Sequence, residues 1–271
     1  MKFFTFQILI KLSLLTVVVL AQSCALTTAA GITTQGQPIK KVKPDLESLK
    51  ATGAKQIDHS QWTDLLQKYV DEAGFVDYKN FKNDRKALTD YLTFLSSQEP
   101  SDEWPVQELL AYYINLYNAY TVDLILKHYP VKSIKDIKGA WTKAIVPIGN
   151  RTLALGGIEN GVLRKMRDPR IHFAINCASI SCPKLQGEAY TSYKIEEQLD
   201  RAASEFINSD KNKLDSQNPK LSRIFKWYKK DYLVYDIKTL NEYINQYADA
   251  KIKPNAVYNF LPYDWGLNEQ K

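Results

Sequence analysis

Apolar residues recur every three to four positions along several stretches of the chain, and each such stretch predicts an amphipathic helix. Trp62, Leu65, Leu66, Tyr69 and Val70 share a face behind the cap candidates Asp58 and Ser60. Leu88, Tyr91, Leu92 and Leu95 repeat the pattern after Asn83 or Asp84. Over residues 105–127 the stripe widens until it nearly closes on itself, with Leu109, Leu110, Tyr113, Ile114, Tyr117, Val122, Leu124 and Ile125. A helix apolar around most of its circumference belongs in the interior, and Pro105 suits its first turn. Further helices are expected over 158–166, after Thr191 (Ile195, Leu199, Ala202, Phe206) and over 237–247. Strand signals are shorter. Residues 142–148 and 152–155 flank a Gly149-Asn150 turn, residues 170–176 alternate, and 221–225 and 257–261 read as isolated strands. Helices packed around a small, mostly antiparallel sheet, with one central buried helix, define an α+β class.

The N-terminus departs from this pattern. Residues 8–21 are apolar except for Lys11, Ser13 and Thr16, Lys2 precedes them, and no acidic residue intervenes. Such a run is too short to span a bilayer and fits a secretory signal. Leu20-Ala21-Gln22-Ser23-Cys24 resembles a bacterial lipobox, with Cys24 as the lipidated residue; ordinary cleavage nearby is the alternative. Lipidation of Cys24 leaves an even pair of cysteines, Cys177 and Cys182, in an exported chain. The organisation expected is a signal over 1–23, a flexible tether over 24–45 that is poor in large apolar residues, and one globular domain over 46–271. The location expected is the bacterial envelope, facing the periplasm, with the membrane contacted through a lipid anchor.

Composition narrows the function classes. With 45% hydrophobic and 24% charged residues in 271, the chain is ordinary globular protein. Lys and Arg exceed Asp and Glu by six, and removing Lys2 and Lys11 with the signal lowers that excess to four. The basic residues are scattered, so nucleic acid is not an expected partner. Three cysteines and three histidines exclude a multi-zinc architecture. No phosphate loop or His-Glu-x-x-His helix appears, and no cofactor or metal is implied.

Candidate chemistry gathers in two places. Asn115 and Asn118 share a face of the central helix. Buried amides need partners, so they either lock a neighbouring loop or orient a reactive group. The segment Arg170-Ile171-His172-Phe173-Ala174-Ile175-Asn176-Cys177 leads into Ala178-Ser179-Ile180-Ser181-Cys182-Pro183. As a strand it sets His172, Ala174 and Asn176 on one face. Glu159 opens its helix ahead of Arg164 as a dipole and ion-pair residue, with a general base as the alternative role. Arg164 and Arg170 either hold an anionic ligand or pair with Asp168 or Glu159. The aromatics around Trp227-Tyr228 and Trp265 fill the core or, if exposed, line a groove.

Several of these segments together resemble the DUF547 family, a domain of unknown function. They are Ala-Tyr-Tyr-Ile-Asn-Leu-Tyr-Asn-Ala over 111–119, Ile158-Glu159-Asn160-Gly161-Val162-Leu163-Arg164, Arg170-Ile171-His172-Phe173-Ala174, Ser179-Ile180-Ser181-Cys182-Pro183, Phe225-Lys226-Trp227-Tyr228, and Tyr263-Asp264-Trp265-Gly266-Leu267-Asn268. The resemblance runs in order over 62–268. It implies membership and no activity, and the family commonly carries His where this chain has Asn160. Three readings of the cysteine loop stay open: a Cys177–Cys182 disulfide, a Cys182 nucleophile activated by His172 with Ser181 and loop amides as an oxyanion site, and a metal bound by His172, Cys177 and Cys182. Two functions follow. The first is a membrane-anchored lipoprotein binding an unidentified small-molecule, peptide or protein partner, its pocket shaped by Asn115, Asn118, Glu159, Arg164, Arg170 and Ser181. The second is a thiol-dependent hydrolase or acyl transferase acting on an amide or ester through Cys182 and His172, with Asn118 as orienter.

Overall fold

The computed structural model describes residues 33–48 and 55–271. The signal, Cys24 and the first part of the tether lie outside the described residues. Helix α1 (Ser60–Tyr69) starts where the Asp58 carboxylate accepts from the Ser60 amide at 2.9 Å. A short helix α2 (Tyr78–Phe81), capped by Asp77, continues through a 3-10 turn into α3 (Arg85–Ser96). Helix α4 (Val106–His128) follows Pro105 and is buried from Glu108 to Leu126. At 23 residues it is about 34 Å long; α2 and α3 pack against it, and α1 packs on α2 and α3. Tyr112 and Tyr113, although deep in this packing, each find an acceptor, on the Leu95 carbonyl (2.9 Å) and the Gln37 side chain (3.2 Å).

The expected hairpin is present as β1 (Val146–Ile148) and β2 (Arg151–Leu153), antiparallel about Gly149 and Asn150. The chain then winds into a π-helical turn (Gly157–Val162) and a 3-10 turn (Leu163–Met166). Helices α5 (Ile171–Ala174) and α6 (Ile195–Ile207) follow. The remainder is β3 (Lys220–Leu221), α7 (Arg223–Trp227), a 3-10 turn (Lys229–Tyr232), α8 (Leu240–Tyr247) and β4 (Asn259–Phe260). The α+β class holds. The sheet is two separate pairs, β1–β2 antiparallel and β3–β4 parallel.

Three local expectations are corrected. Residues 170–176 are not a strand: Asp168 accepts from the Arg170 amide with its side chain (3.0 Å) and from the Ile171 amide with its carbonyl (3.3 Å), which turns the chain into α5. Every residue of α5 is buried, so the alternation there carried no inside–outside information. Of residues 221–225, Leu221 is strand as expected but the rest turns helical from Arg223, because Ser222 caps α7, accepting from the Ile224 amide. Residues 33–45, read as the far end of a flexible tether, lie on the domain. Val42 is buried and its amide donates to the Met166 carbonyl at 2.7 Å, while Lys40 reaches the Trp104 carbonyl at 2.6 Å. Ile39, Val42 and Leu46, spaced three and four apart, give this strap an apolar edge to seat.

Two apolar clusters form the interior. The larger surrounds α4; the smaller gathers Phe173, Phe206, Phe225, Tyr232 and Tyr243. Helix α6 joins them, giving Ile195 and Leu199 to the first and Ala202, Ala203, Phe206 and Ile207 to the second. The segment 267–270 closes the molecule: Val76 and Gln270 exchange backbone hydrogen bonds with their neighbours across it, and the Leu267 amide donates to the Lys132 carbonyl. Among the described residues no helix is long and apolar enough to cross a membrane.

Candidate functional site

The two asparagines of α4 each grip a different loop. Asn115 donates to the Tyr190 carbonyl (2.7 Å) and accepts from the Tyr190 amide (3.0 Å). Asn118 donates to the Ala174 carbonyl (3.0 Å) and accepts from the Asn176 amide (2.8 Å). Each amide spends both its oxygen and its nitrogen on backbone, and both therefore fix the loops they touch. Asn176 passes the restraint on, accepting from the Ala178 amide (2.7 Å) and donating to the Pro183 carbonyl (2.7 Å). Ala178 takes a left-handed conformation, φ 56°, and the loop doubles back. Its two ends, Cys177 and Cys182, have Cα atoms 6.2 Å apart and sulfurs joined in a disulfide, within the ordinary Cα range for that bond. The Ser181 hydroxyl accepts from the Asp264 amide (2.8 Å) and its own amide donates to the Asp264 carbonyl (3.2 Å), so the Ser181 N–H is committed within the loop and is not available as an oxyanion donor.

These restraints place the disulfide in the wall of a cavity of about 340 Å³. Six aromatic side chains line it: Tyr117 from α4, Trp141, Trp227 and Tyr228 at the end of α7, and Tyr263 and Trp265 from the C-terminal segment. Tyr263 meets both Trp227 and Trp265, with ring centroids 4.8 and 4.6 Å away, the two indoles stack 5.8 Å apart, and Trp141 meets Trp265 edge-on at 6.0 Å. Trp227 is 43% exposed, so this wall opens to solvent. The Tyr263 hydroxyl accepts from Ser179 (3.0 Å) and donates to the Cys182 sulfur (3.4 Å). Burial pushes its pKa up to about 12.

Glu159 enters the same cavity from the π-helical turn, a backbone form found often at functional sites. It is 7% exposed. The Tyr228 hydroxyl donates to its Oε1 at 2.5 Å and the Tyr117 hydroxyl to its Oε2 at a longer 3.4 Å. Burial and the adjacent Glu159 both raise the two phenols, which keeps them protonated and donating.

His172 lines the cavity too, stacked on Tyr228 with centroids 3.9 Å apart. Its Nε2 lies 2.9 Å from Asp231 Oδ2, and its buried Nδ1 has no hydrogen-bond partner. Asp231 also receives Arg164 through Nε (2.6 Å) and Nη2 (3.0 Å), while Arg164 Nη1 donates to Asn160 (2.8 Å). Arg164 therefore pairs with Asp231 rather than Glu159. Arg170 lies outside the cavity, bound by Asp168 (2.7 Å), Glu196 (2.7 Å) and Asp200 (2.8 Å), which leaves it no capacity for an anionic ligand.

Of the residues singled out from sequence, the structure brings Glu159, His172, Cys177 and Cys182 into one cavity. Asn115, Asn118, Arg164, Arg170 and Ser181 support or adjoin it without lining it. His172 is hydrogen-bonded by Asp231, whereas Asn118 is bonded to the Ala174 and Asn176 backbone, and nothing in the Lys229-Lys230-Asp231 run marks that aspartate. The Trp227-Tyr228 and Trp265 pattern was visible, but periodicity alone does not separate a core ring from a cavity ring. Among the described residues no three His, Cys, Asp or Glu side chains are grouped at metal-binding distance.

No curated protein and no solved structure matches the chain. A family model described as a protein of unknown function, DUF547, matches residues 101–207. That span runs from just ahead of α4 to the end of α6 and includes Glu159, His172 and both cavity cysteines, whereas Trp227, Asp231 and Trp265 lie beyond it. The resemblance read from the sequence motifs and this match name the same family, and they coincide over the central part of the chain, residues 101–207.

Proposed function

We propose that this chain is a ligand-binding domain of the bacterial envelope, anchored through lipid on Cys24, with the aromatic cavity as its binding site. One observation carries the binding reading. The two cavity cysteines are bonded to each other, inside a wall of six aromatic rings that ends on the half-exposed Trp227. A wall of this kind offers stacking area and a few fixed polar groups, the usual make-up of a small-molecule site. The disulfide also fits an oxidising compartment, in keeping with an exported chain.

The thiol-dependent hydrolase keeps one specific support. His172 and Cys182 line the same cavity, and His172 is oriented through Nε2 by Asp231 with Nδ1 unpartnered. In a Cys–His pair the free nitrogen would take the thiol proton while the sulfur attacks the carbonyl carbon.

Thiol titration of the purified mature protein, with and without reductant, followed by labelling with an electrophilic probe, separates the two. Absence of free thiol and of labelling supports the binding domain. Rapid labelling of Cys182 without reductant, lost in His172→Ala, would overturn it in favour of the hydrolase. Release of Cys24→Ser from the membrane fraction supports the anchor, and continued attachment contradicts it.

A further inference from the structure

Resting on the binding reading above, we propose that the cavity selects a small organic cation, a quaternary or alkylated ammonium, held by the aromatic rings and by Glu159.

The polar groups of the cavity are nearly all committed. Asn160 donates to the Gly156 carbonyl (3.0 Å) and accepts from Arg164, and His172 Nε2 meets Asp231. Glu159 differs: its carboxylate receives two neutral phenols, and among the described residues no Lys, Arg or His forms an ion pair with it. Arg164, five positions along the chain, has its charge matched by Asp231 in a two-pronged ion pair. Within the cavity lining Glu159 is the one acidic side chain, and the lining includes no Lys or Arg.

A carboxylate 7% exposed and lacking a counter-ion is costly to bury. Phenol hydrogen bonds offset part of that cost, and a cation brought against the group offsets more. Aromatic rings carry a negative π-face, so a wall rich in them favours a diffuse positive charge over a neutral apolar group. A methylated ammonium suits these walls better than a bare one. It has little hydration to lose, and its methyl groups pack on Trp227, Tyr263 and Trp265, whereas a bare ammonium would need acceptors for three N–H bonds. The same wall already draws a cation on its outside, where Lys135 sits 5.2 Å from the Trp265 ring without lining the cavity. A neutral sugar would need several unused donors and acceptors, and the commitments above leave too few.

The test is calorimetric titration of the full-length mature protein with choline, with tetramethylammonium, and with 3,3-dimethylbutan-1-ol, the uncharged isostere of choline. Phosphatidylcholine vesicles form a separate arm that distinguishes a membrane headgroup from a free cation as the source. We expect choline or tetramethylammonium to bind roughly tenfold or more tightly than the isostere. Glu159→Gln should erase that preference. Trp227→Ala, at a half-exposed position where folding is little at risk, should weaken the cations more than the isostere. Vesicle binding displaced by free choline would assign the headgroup as the source, and binding confined to the free cations would assign the soluble form; both sustain the inference. Equal binding of isostere and cation, or binding of the isostere alone, overturns the cation inference and leaves the cavity as a binding site. Failure of every probe, charged or neutral, up to about 10 mM overturns the inference and counts against the binding reading itself.

Discussion

Asp231 accepts from His172 Nε2 at 2.9 Å on the same oxygen that receives Arg164 Nε at 2.6 Å. One carboxylate thus fixes the imidazole at the cavity edge and neutralises the guanidinium that would otherwise compete for Glu159. These partners stand 59 and 67 residues away in sequence, so a single side chain ties the C-terminal third of the chain to the cavity wall.

Replacing Asp231 by Asn keeps the shape and removes the charge. The loss is expected to be about 1.5–3 kcal/mol, the range for hydrogen bonds to charged groups, read as a lower denaturant midpoint. Acid provides a second signature. Burial pushes the Asp231 carboxyl up, but the hydrogen bonds from His172 and Arg164 outweigh it and bring the pKa down to about 2. A carboxylate depressed on folding contributes its full stability above its ordinary value, near 3.8, and loses it as pH falls through about 2. The wild type should therefore weaken across that window, and Asp231→Asn should show a shallower slope there; equal slopes would contradict the assignment.

His59 produces a separate slope at milder pH. It is buried beside Tyr91, whose hydroxyl lies 2.7 Å from Nδ1, and its Nε2 has no partner. Burial drives its pKa from 6.5 to about 4, Asp58 opposing in part. The folded state holds the ring neutral while the unfolded chain protonates it, so stability is full above pH 6.5 and declines toward pH 4. Thermal unfolding of His59→Gln followed over that range should be flatter than wild type.

Asn118→Ala strands the Ala174 carbonyl and the Asn176 amide, at a cost of about 1–3 kcal/mol. Because Asn176 holds both ends of the cysteine loop, the effect should extend beyond global stability. Hydrogen exchange at the Asn176 and Ala178 amides is expected to quicken by more than at α1, and uniform quickening would mean that the amide only stabilises the fold as a whole.

Gly74 sits at φ 84°, and a Cβ there would stand 2.7 Å from the Lys184 Cα and 2.9 Å from the Leu185 nitrogen. Both are backbone atoms, so Gly74→Ala should lower stability by more than the roughly 1–2 kcal/mol of left-handed strain alone. Gly187→Ala, with nothing within 4 Å of its would-be Cβ, should stay within about 0.5 kcal/mol of wild type. Parallel melting curves of the two variants make the comparison.

What sequence could convey follows the range of the interactions. Helix α4 and the β1–β2 hairpin were legible because their signals are local: a circumferential apolar stripe behind Pro105, and Gly149-Asn150 between two short apolar runs. Helix α5 was misread because a fully buried turn and a half-buried strand produce the same three-residue alternation of Ile171, Phe173 and Ile175. The cavity was half legible. Glu159, His172, Cys177 and Cys182 stand in unusual local contexts, whereas Asp231 sits among lysines and reads as a solvated charge. The pairing of Asp231 with Arg164 and His172 depends on how the last third of the chain returns, which no local pattern records. The strap over 33–45 was misjudged for the opposite reason: three apolar residues in a polar tract are too few to register in composition, yet enough to seat Val42 and Leu46.

The distribution of tryptophan has a practical consequence. Trp62 and Trp104 are buried in the α1–α4 packing, while Trp141, Trp227 and Trp265 stand together around the cavity. Three of the five indoles thus sit where an occupant would displace water and alter their surroundings, and the other two supply a constant background. Intrinsic emission is in effect a built-in optical reporter of cavity occupancy. An unlabelled compound collection can be screened against this protein by spectral shift alone, before any ligand has been identified.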